Sequence, residues 1–344
     1  MTALLICTLA EARARAGTSG EAPRLAALLR RAHPDGVCIL DARDGLAWID
    51  TPHASGWLAG EALEREAFER RTQEALARGF VAADALVLAR RTAPHALPLL
   101  SWGEAPPQPQ RTPSAPQRLD LYAIVDDARR LRQVLEAGVR TVQLRIKTPP
   151  APDAAWHAML REEVADSVAA SREHGAELFV NDHWRLAREL GASGVHLGQE
   201  DLLALGDEGR AELLAAGFAL GVSSHSVWEL ARARALSPRY IACGPVWPTV
   251  TKDMPWLPQG LDNLAWWVRA AGAPVTAIGG ILQPQHVEAV AGTGCDGVCI
   301  VRGLGEAPRD TLPGFEAALR AGRSGAAEAP PDWPHASLPA GKTP

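Results

Sequence analysis

A (β/α)8 TIM barrel preceded by a smaller α/β domain is the fold class that this 344-residue sequence predicts, and three observations predict it. From Arg118 onward, eight short apolar runs alternate with eight helix-like segments within about 200 residues. Ahead of them, residues 1–102 form a separate α/β block, and Gly103–Gln117 is so rich in proline and polar residues that it reads as a linker with no core of its own. The first barrel run ends in Val125-Asp126-Asp127 without the glycine-rich turn of a doubly wound sheet, a fold that would also have fewer strands.

In the first block, residues 1–9 and 35–42 are apolar enough to be buried strands, while 21–32 and 61–79 have helical periodicity and helix-forming residues. The barrel strands are expected at 119–125, 141–146, 177–180, 194–197, 218–222, 239–244, 274–279 and 296–301. Helices are expected between and after them, around 127–137, 153–174, 183–190, 207–216, 227–235, 261–271, 284–291 and 313–321. The barrel thus occupies 118–321, and the Pro/Ala-rich tail 322–344 is expected to be disordered.

Composition narrows the function classes. A formal charge of −5 with no basic run excludes a dedicated nucleic-acid surface, so the expected partners are small molecules. No apolar stretch approaches the ~20 residues of a membrane span, and the opening segment has no secretory pattern, so the cytoplasm is the expected location. Cys7, Cys38, Cys243, Cys295 and Cys299 sit mostly in apolar runs with neither disulfide nor zinc spacing, and read as core thiols.

In such a barrel the chemistry lies where strands end. On the second strand Gln143, Arg145 and Lys147 alternate with Val142, Leu144 and Ile146, so period two turns the polar three toward the barrel mouth, where a buried cation needs an anion. The stretch Leu178–Asp201 reads as strand, helix, strand, and neighbouring parallel strands lie roughly 5 Å apart. Asn181-Asp182 and Gln199-Glu200-Asp201 therefore meet at one edge, where the repulsion of Asp182 and Asp201 is relieved by a hard cation such as Mg²⁺. The plainer alternative is that each aspartate caps a helix, and Asp201 is placed to do both.

Other strand ends offer phosphate ligands. Ser223 and Ser224 close the fifth strand with hydroxyls, and the proline-bracketed loop 244–255 presents Thr249, Thr251 and Lys252. Gly279-Gly280-Ile281 and Val301-Arg302-Gly303 follow the last two strands, where backbone amides approach a phosphate closely. His183, His196 and His225 lie nearby and read as packing or helix-start residues. The set describes a magnesium-diphosphate pocket beside a second phosphate cradle.

These motifs resemble those of the thiamine phosphate synthase family. The matching stretches are 143–147, 179–182, 194–202, 220–225, 244–252, 258–260, 277–281 and 297–301, in family order and spacing over 118–321. The resemblance implies a (β/α)8 transferase that joins a hydroxymethylpyrimidine diphosphate to thiazole phosphate with Mg²⁺, pyrophosphate leaving first. It implies that Gln143, Arg145, Lys147 and Asn181 hold the pyrimidine diphosphate, with Ser223 and Lys252 adding contacts, and that Asp182 and Asp201 ligate Mg²⁺. Thr249, Thr251, Gly280 and the backbone near Val301 would hold the thiazole phosphate, while Arg145, Lys147 and Lys252 would neutralise the departing charge. Two positions depart from the family pattern: Ile146 replaces an acidic residue, and Arg302 stands where serine is common.

A fainter resemblance, carried by 49–68 and 74–91, links the first block to the C-terminal half of hydroxymethylpyrimidine phosphate kinase. His53-Ala54-Ser55-Gly56-Trp57 replaces that family's small-residue turn, which implies a degenerate, non-catalytic domain; an unrelated α/β interaction module is the alternative. The rival readings of the whole are a thiazole tautomerase and a catalytically silent sensor of thiamine precursors. A fragment beginning near Ser114 is expected to fold and work alone, because every assigned ligand lies beyond the linker.

Overall fold

The computed structural model describes residues 4–61, 63–108, 118–249, 255–325 and 329–339. The chain opens with β1 (Leu4–Thr8), which passes directly into α1 (Leu9–Ala16). Thr8 and Glu11 make that sharp start possible through a capping box, each side chain satisfying the other's backbone N–H. After α2 (Ala22–Leu29) come β2 (Gly36–Arg43), β3 (Leu46–Asp50) and β4 (Ser55–Leu58), giving a sheet ordered β1-β2-β3-β4. The first pair is parallel and the other two are antiparallel.

On one face of this sheet Leu25, Ala26, Val37, Ile39, Trp48 and Trp57 form a small core with α1 and α2. The other face meets α3 (Arg65–Ala77) and α4 (Ala82–Ala89). Every residue of α4 is buried, Asp84 included. A helix covered all round must have neighbours on both sides.

The second neighbour is the barrel. Its strands are β5 (Asp120–Val125), β6 (Thr141–Leu144), β7 (Glu177–Asn181), β8 (Gly194–Leu197), β9 (Ala219–Ser224), β10 (Tyr240–Cys243), β11 (Val275–Ala277) and β12 (Gly297–Ile300). They pair in parallel around a closed circle, β12 returning to β5. Leu119, Tyr122, Ile124, Phe179, Tyr240, Ala242 and Cys299 fill the inside. The alternate residues, among them Leu121, Ala123, Val125, Val142 and Leu144, face the outer helices. Gly221 has a steric reason: a Cβ there would lie 2.2 Å from the Tyr240 ring.

The outer layer comprises α5 (Ala128–Ala137), α6 (Ala154–Glu173), α7 (Trp184–Leu190), α8 (Gln199–Ala204), α9 (Gly206–Ala215), α10 (Val227–Arg234), α11 (Gly260–Ala270), α12 (Pro284–Gly292) and α13 (Pro308–Ser324). The short α8 was not expected from periodicity, and β6 stops at Leu144 rather than 146. All five cysteines are free and buried, and burial pushes the thiols of Cys38, Cys295 and Cys299 up to about 12. Among the described residues no helix is long and apolar enough to cross a membrane.

The first unit docks on α10. Asp84 Oδ1 accepts the Trp228 N–H at 2.8 Å, and Trp102 Nε1 donates to the Arg232 carbonyl at 2.9 Å. Arg232 in turn donates from Nη2 to the Ser55 carbonyl at 2.7 Å and from Nε to that of Ser101 at 3.3 Å. Trp228, Leu230, Ala231 and Ala233 are buried.

The segment after α13 corrects the expectation of a disordered tail. α13 runs past Gly322 to Ser324, and residues 329–339 lie across both units. The Trp333 ring sits 3.9 Å from the Arg91 guanidinium carbon and 4.5 Å from that of Arg78. Two residues on, the His335 N–H donates to Asn263 Oδ1 at 2.8 Å, and Leu257 N–H donates to the Ser337 carbonyl at 2.8 Å. Proline-rich composition misleads here because the segment gains its order from tryptophan, histidine and backbone contacts to surfaces far away in sequence.

Candidate active site

A cavity of about 460 Å³ opens at the C-terminal ends of the barrel strands. Gln143, Arg145, Asn181, Asp182, Asp201, Ser223, Thr249, Gly280, Val301 and Arg302 all line it. Lys147 does not: it is exposed, three residues beyond the end of β6, where the strand's alternation no longer governs its direction. Thr251 and Lys252 lie outside the described residues.

The carboxylate edge follows from the pairing of β7 with β8, in which Asn181 stands opposite His196 and Asp182 N–H donates to the His196 carbonyl at 3.1 Å. Asp182 has φ 63, a left-handed backbone that Asp tolerates better than most residues and that turns the chain sharply out of the strand. Asp201 is the third residue of α8, and its Oδ2 reaches back to accept the Gly198 N–H at 3.1 Å. The capping alternative is thus realised for Asp201 while the residue also lines the cavity. Among the described residues no three His, Cys, Asp or Glu side chains form a protein-only metal cage. Two carboxylates on one wall suit a hard cation that takes its remaining ligands from water and phosphate oxygens.

At the floor a polar chain crosses the barrel. Gln143 Nε2 donates to Tyr122 Oη at 3.0 Å, the two tyrosine hydroxyls are 2.7 Å apart, Tyr240 Oη lies 2.8 Å from His196 Nδ1, and His196 Nε2 lies 2.9 Å from Ser223 Oγ. Burial, with the Arg145 charge adding to it, pushes His196 down to about 3, so the ring is neutral, one nitrogen accepting and the other donating. The Gln143 amide nitrogen can only donate, and one polarity that satisfies every link runs Gln143, Tyr122, Tyr240, His196, Ser223. It leaves the Ser223 hydroxyl proton to be donated into the cavity.

The cradle opposite is shaped by close backbone approach. Gly279 and Gly280 have φ 99 and 75, and a Cβ on either would lie 2.6 Å from Pro245 or Trp247. Glycine is therefore required for the turn itself, and Thr249 and Arg302 border the same space.

The thiamine monophosphate synthase family model matches residues 121–304, more than half of the chain. The chain belongs to the thiamine monophosphate synthase family. It is 45% identical over 202 residues to a thiamine-phosphate synthase of Neisseria meningitidis, a match that takes in 58% of this chain and 94% of that one. It is 42% identical over 193 residues to the thiamine-phosphate synthase of Rhizobium etli, covering 56% and 90% respectively. The solved structure of a Pyrococcus furiosus thiamine phosphate pyrophosphorylase superposes with a TM-score of 0.51 at 28% identity, covering 60% of this chain and 98% of that one.

Relatives covered almost end to end have no room for a counterpart of the first hundred residues. Yet this family member's cavity is also lined by His53 from the first unit and by Trp228 and Arg232 of α10, all missed by sequence reasoning. Burial pulls Arg232 down to about 10, still charged at neutral pH. Tyr122, His196 and Tyr240 were missed as a network as well. Their signal was present: each is a polar or aromatic residue in the inward phase of an apolar strand, and Gly221 marks the space that Tyr240 occupies.

Proposed function

We propose that this family member joins a hydroxymethylpyrimidine diphosphate to thiazole phosphate, releasing pyrophosphate, in the cavity at the barrel mouth. The observation that carries the reading is the convergence of Gln143, Arg145, Asn181, Asp182, Asp201 and Ser223 on one side of a single cavity, with Thr249, Gly280 and Arg302 bordering it too. One diphosphate and one monophosphate are matched by those two groups.

Asp182 and Asp201 would hold Mg²⁺, which when bound supplies positive charge to the diphosphate oxygens. Arg145 adds a fixed cation, and the Ser223 hydroxyl, oriented through His196, donates to an oxygen of the same group. Gln143 and Asn181, both buried, orient the pyrimidine at the floor. Lys252 would neutralise leaving-group charge, with Thr251 on the thiazole phosphate, while exposed Lys147 serves the rim. Arg302 takes the place of a common serine and presents a guanidinium to the thiazole phosphate. None of these groups needs to be a nucleophile, which fits departure of pyrophosphate before capture of the pyrimidine carbon by the thiazole nitrogen.

The test is pyrophosphate release by the full chain with both substrates and Mg²⁺. Release that requires both substrates supports the synthase. Binding of both without release would establish a sensor, and conversion of a thiazole phosphate alone would establish a tautomerase.

A further inference from the structure

The residues that bound the cavity on the α10 side do not belong to the barrel alone. His53 sits at the tip of the β3–β4 hairpin, where Thr51 pins the turn: Thr51 Oγ1 accepts the Ala54 N–H at 3.0 Å and the His53 N–H at 3.3 Å. The His53 ring lies 5.4 Å from that of Trp228, Trp228 lies 5.5 Å from Trp256, and Trp256 stacks on His225 at 5.3 Å with 9° between planes. All four rings line the cavity. Their support also comes from the first unit, since Asp84 caps the Trp228 turn and the Ser55 and Ser101 carbonyls hold Arg232.

We infer that the first unit is a working part of the active site, and that the face of His53, set against Trp228, forms the wall that receives the thiazole ring. α10 follows β9 and precedes β10, and β10 pairs with β11, whose following loops carry Thr249 and Gly280. α10 thus stands between the β9 end, which carries Ser223, and the connection after β10, and Trp256 of the wall belongs to the same β10–α11 connection as Thr249, which ties the aromatic wall to the monophosphate cradle. A heteroaromatic ring anchored there by its phosphate presents a flat face, and aromatic side chains bind such faces by offset or edge contact. The inference rests on the synthase reading for the identity of that ring.

The experiment compares full-length wild type, His53→Ala and His53→Phe. Loss of one ring contact is expected to raise KM for thiazole phosphate about fivefold in His53→Ala, with kcat at saturation changed less. KM for the pyrimidine diphosphate should stay within about twofold, and His53→Phe, which keeps a ring beside Trp228, should restore most of the affinity. Unchanged KM for thiazole phosphate in His53→Ala, or a rise confined to the pyrimidine diphosphate, would overturn the assignment. A residue that only packs would lower the melting temperature without this KM split. Should His53→Ala melt lower, calorimetric titration with thiazole phosphate well below its melting temperature measures affinity on folded protein. The same titration still decides the role of His53 if wild type releases no pyrophosphate, an outcome that would sink the synthase reading alone.

Discussion

In the barrel, eight parallel strands deliver all their C-terminal ends to one mouth, so each strand or the residues that directly follow it line the same cavity. In the small sheet only β1 and β2 are parallel, and the β2-β3-β4 meander sends its connections to opposite ends. A closed parallel sheet concentrates polar strand ends by topology, whereas a mixed sheet disperses them. The small sheet nevertheless places one hairpin tip, His53, at the barrel's cavity. Membership of a site is thus decided by where a loop lands, and the unit without a motif of its own still borders the chemistry.

The hardest test of this comparison removes one region. The expectation that a fragment from Ser114 stands alone does not fit a helix α10 with Trp228, Leu230, Ala231 and Ala233 buried and hydrogen bonds running to Ser55, Asp84, Ser101 and Trp102. Exposing Trp228 alone forfeits about 2–3 kcal/mol of burial. The fragment is expected to aggregate or to melt at least about 10 °C below the full chain, read by light scattering and thermal denaturation. A fragment with unaltered melting and turnover would show that the barrel is self-sufficient.

A change at the carboxylate edge should act on chemistry without touching the interface. Asp182→Asn keeps a residue that tolerates φ 63 and removes only the charge. Turnover is expected to fall by roughly 100-fold, with partial recovery at raised Mg²⁺ and an unshifted melt. Full turnover by the wild type after thorough chelation would end the metal assignment.

The smallest effect concerns Asp84. Burial pushes its carboxyl up to about 8, the Trp228 N–H pulling the other way and the nearby Glu229 charge adding to the rise. Folding therefore takes up a proton at pH values between the ordinary carboxylate range and about 8. The associated stability is complete below that range and is lost as pH rises through about 8. Melting temperature should decline from about pH 5 to 8, and Asp84→Asn should flatten the slope. An identical slope in the variant would assign the titration elsewhere.

The barrel was legible because its strands are short apolar runs with helices between, and its site because polar residues interrupt those runs at their ends. The hairpin carrying His53 was not read as strands, since LAWID and SGWL are too short to show a period. α1 could have been read, because Thr8 and Glu11 have the spacing of a capping box. The floor chain from Gln143 to Ser223 joins residues 21 to 118 positions apart in successive links, and no local pattern announces such a link. Asp201 shows the opposite limit: its capping contact was legible, and the same side chain lines the cavity at the expected strand end.

The contacts of Trp333 and His335 also set the order in which the molecule can be completed during synthesis. Domains form from the N-terminus as the chain emerges. The first unit and the barrel are therefore both made before the residues that bridge Arg91 to Asn263 exist. A chain ending before Trp333 would hold every cavity residue and the α10 interface but lack this bridge.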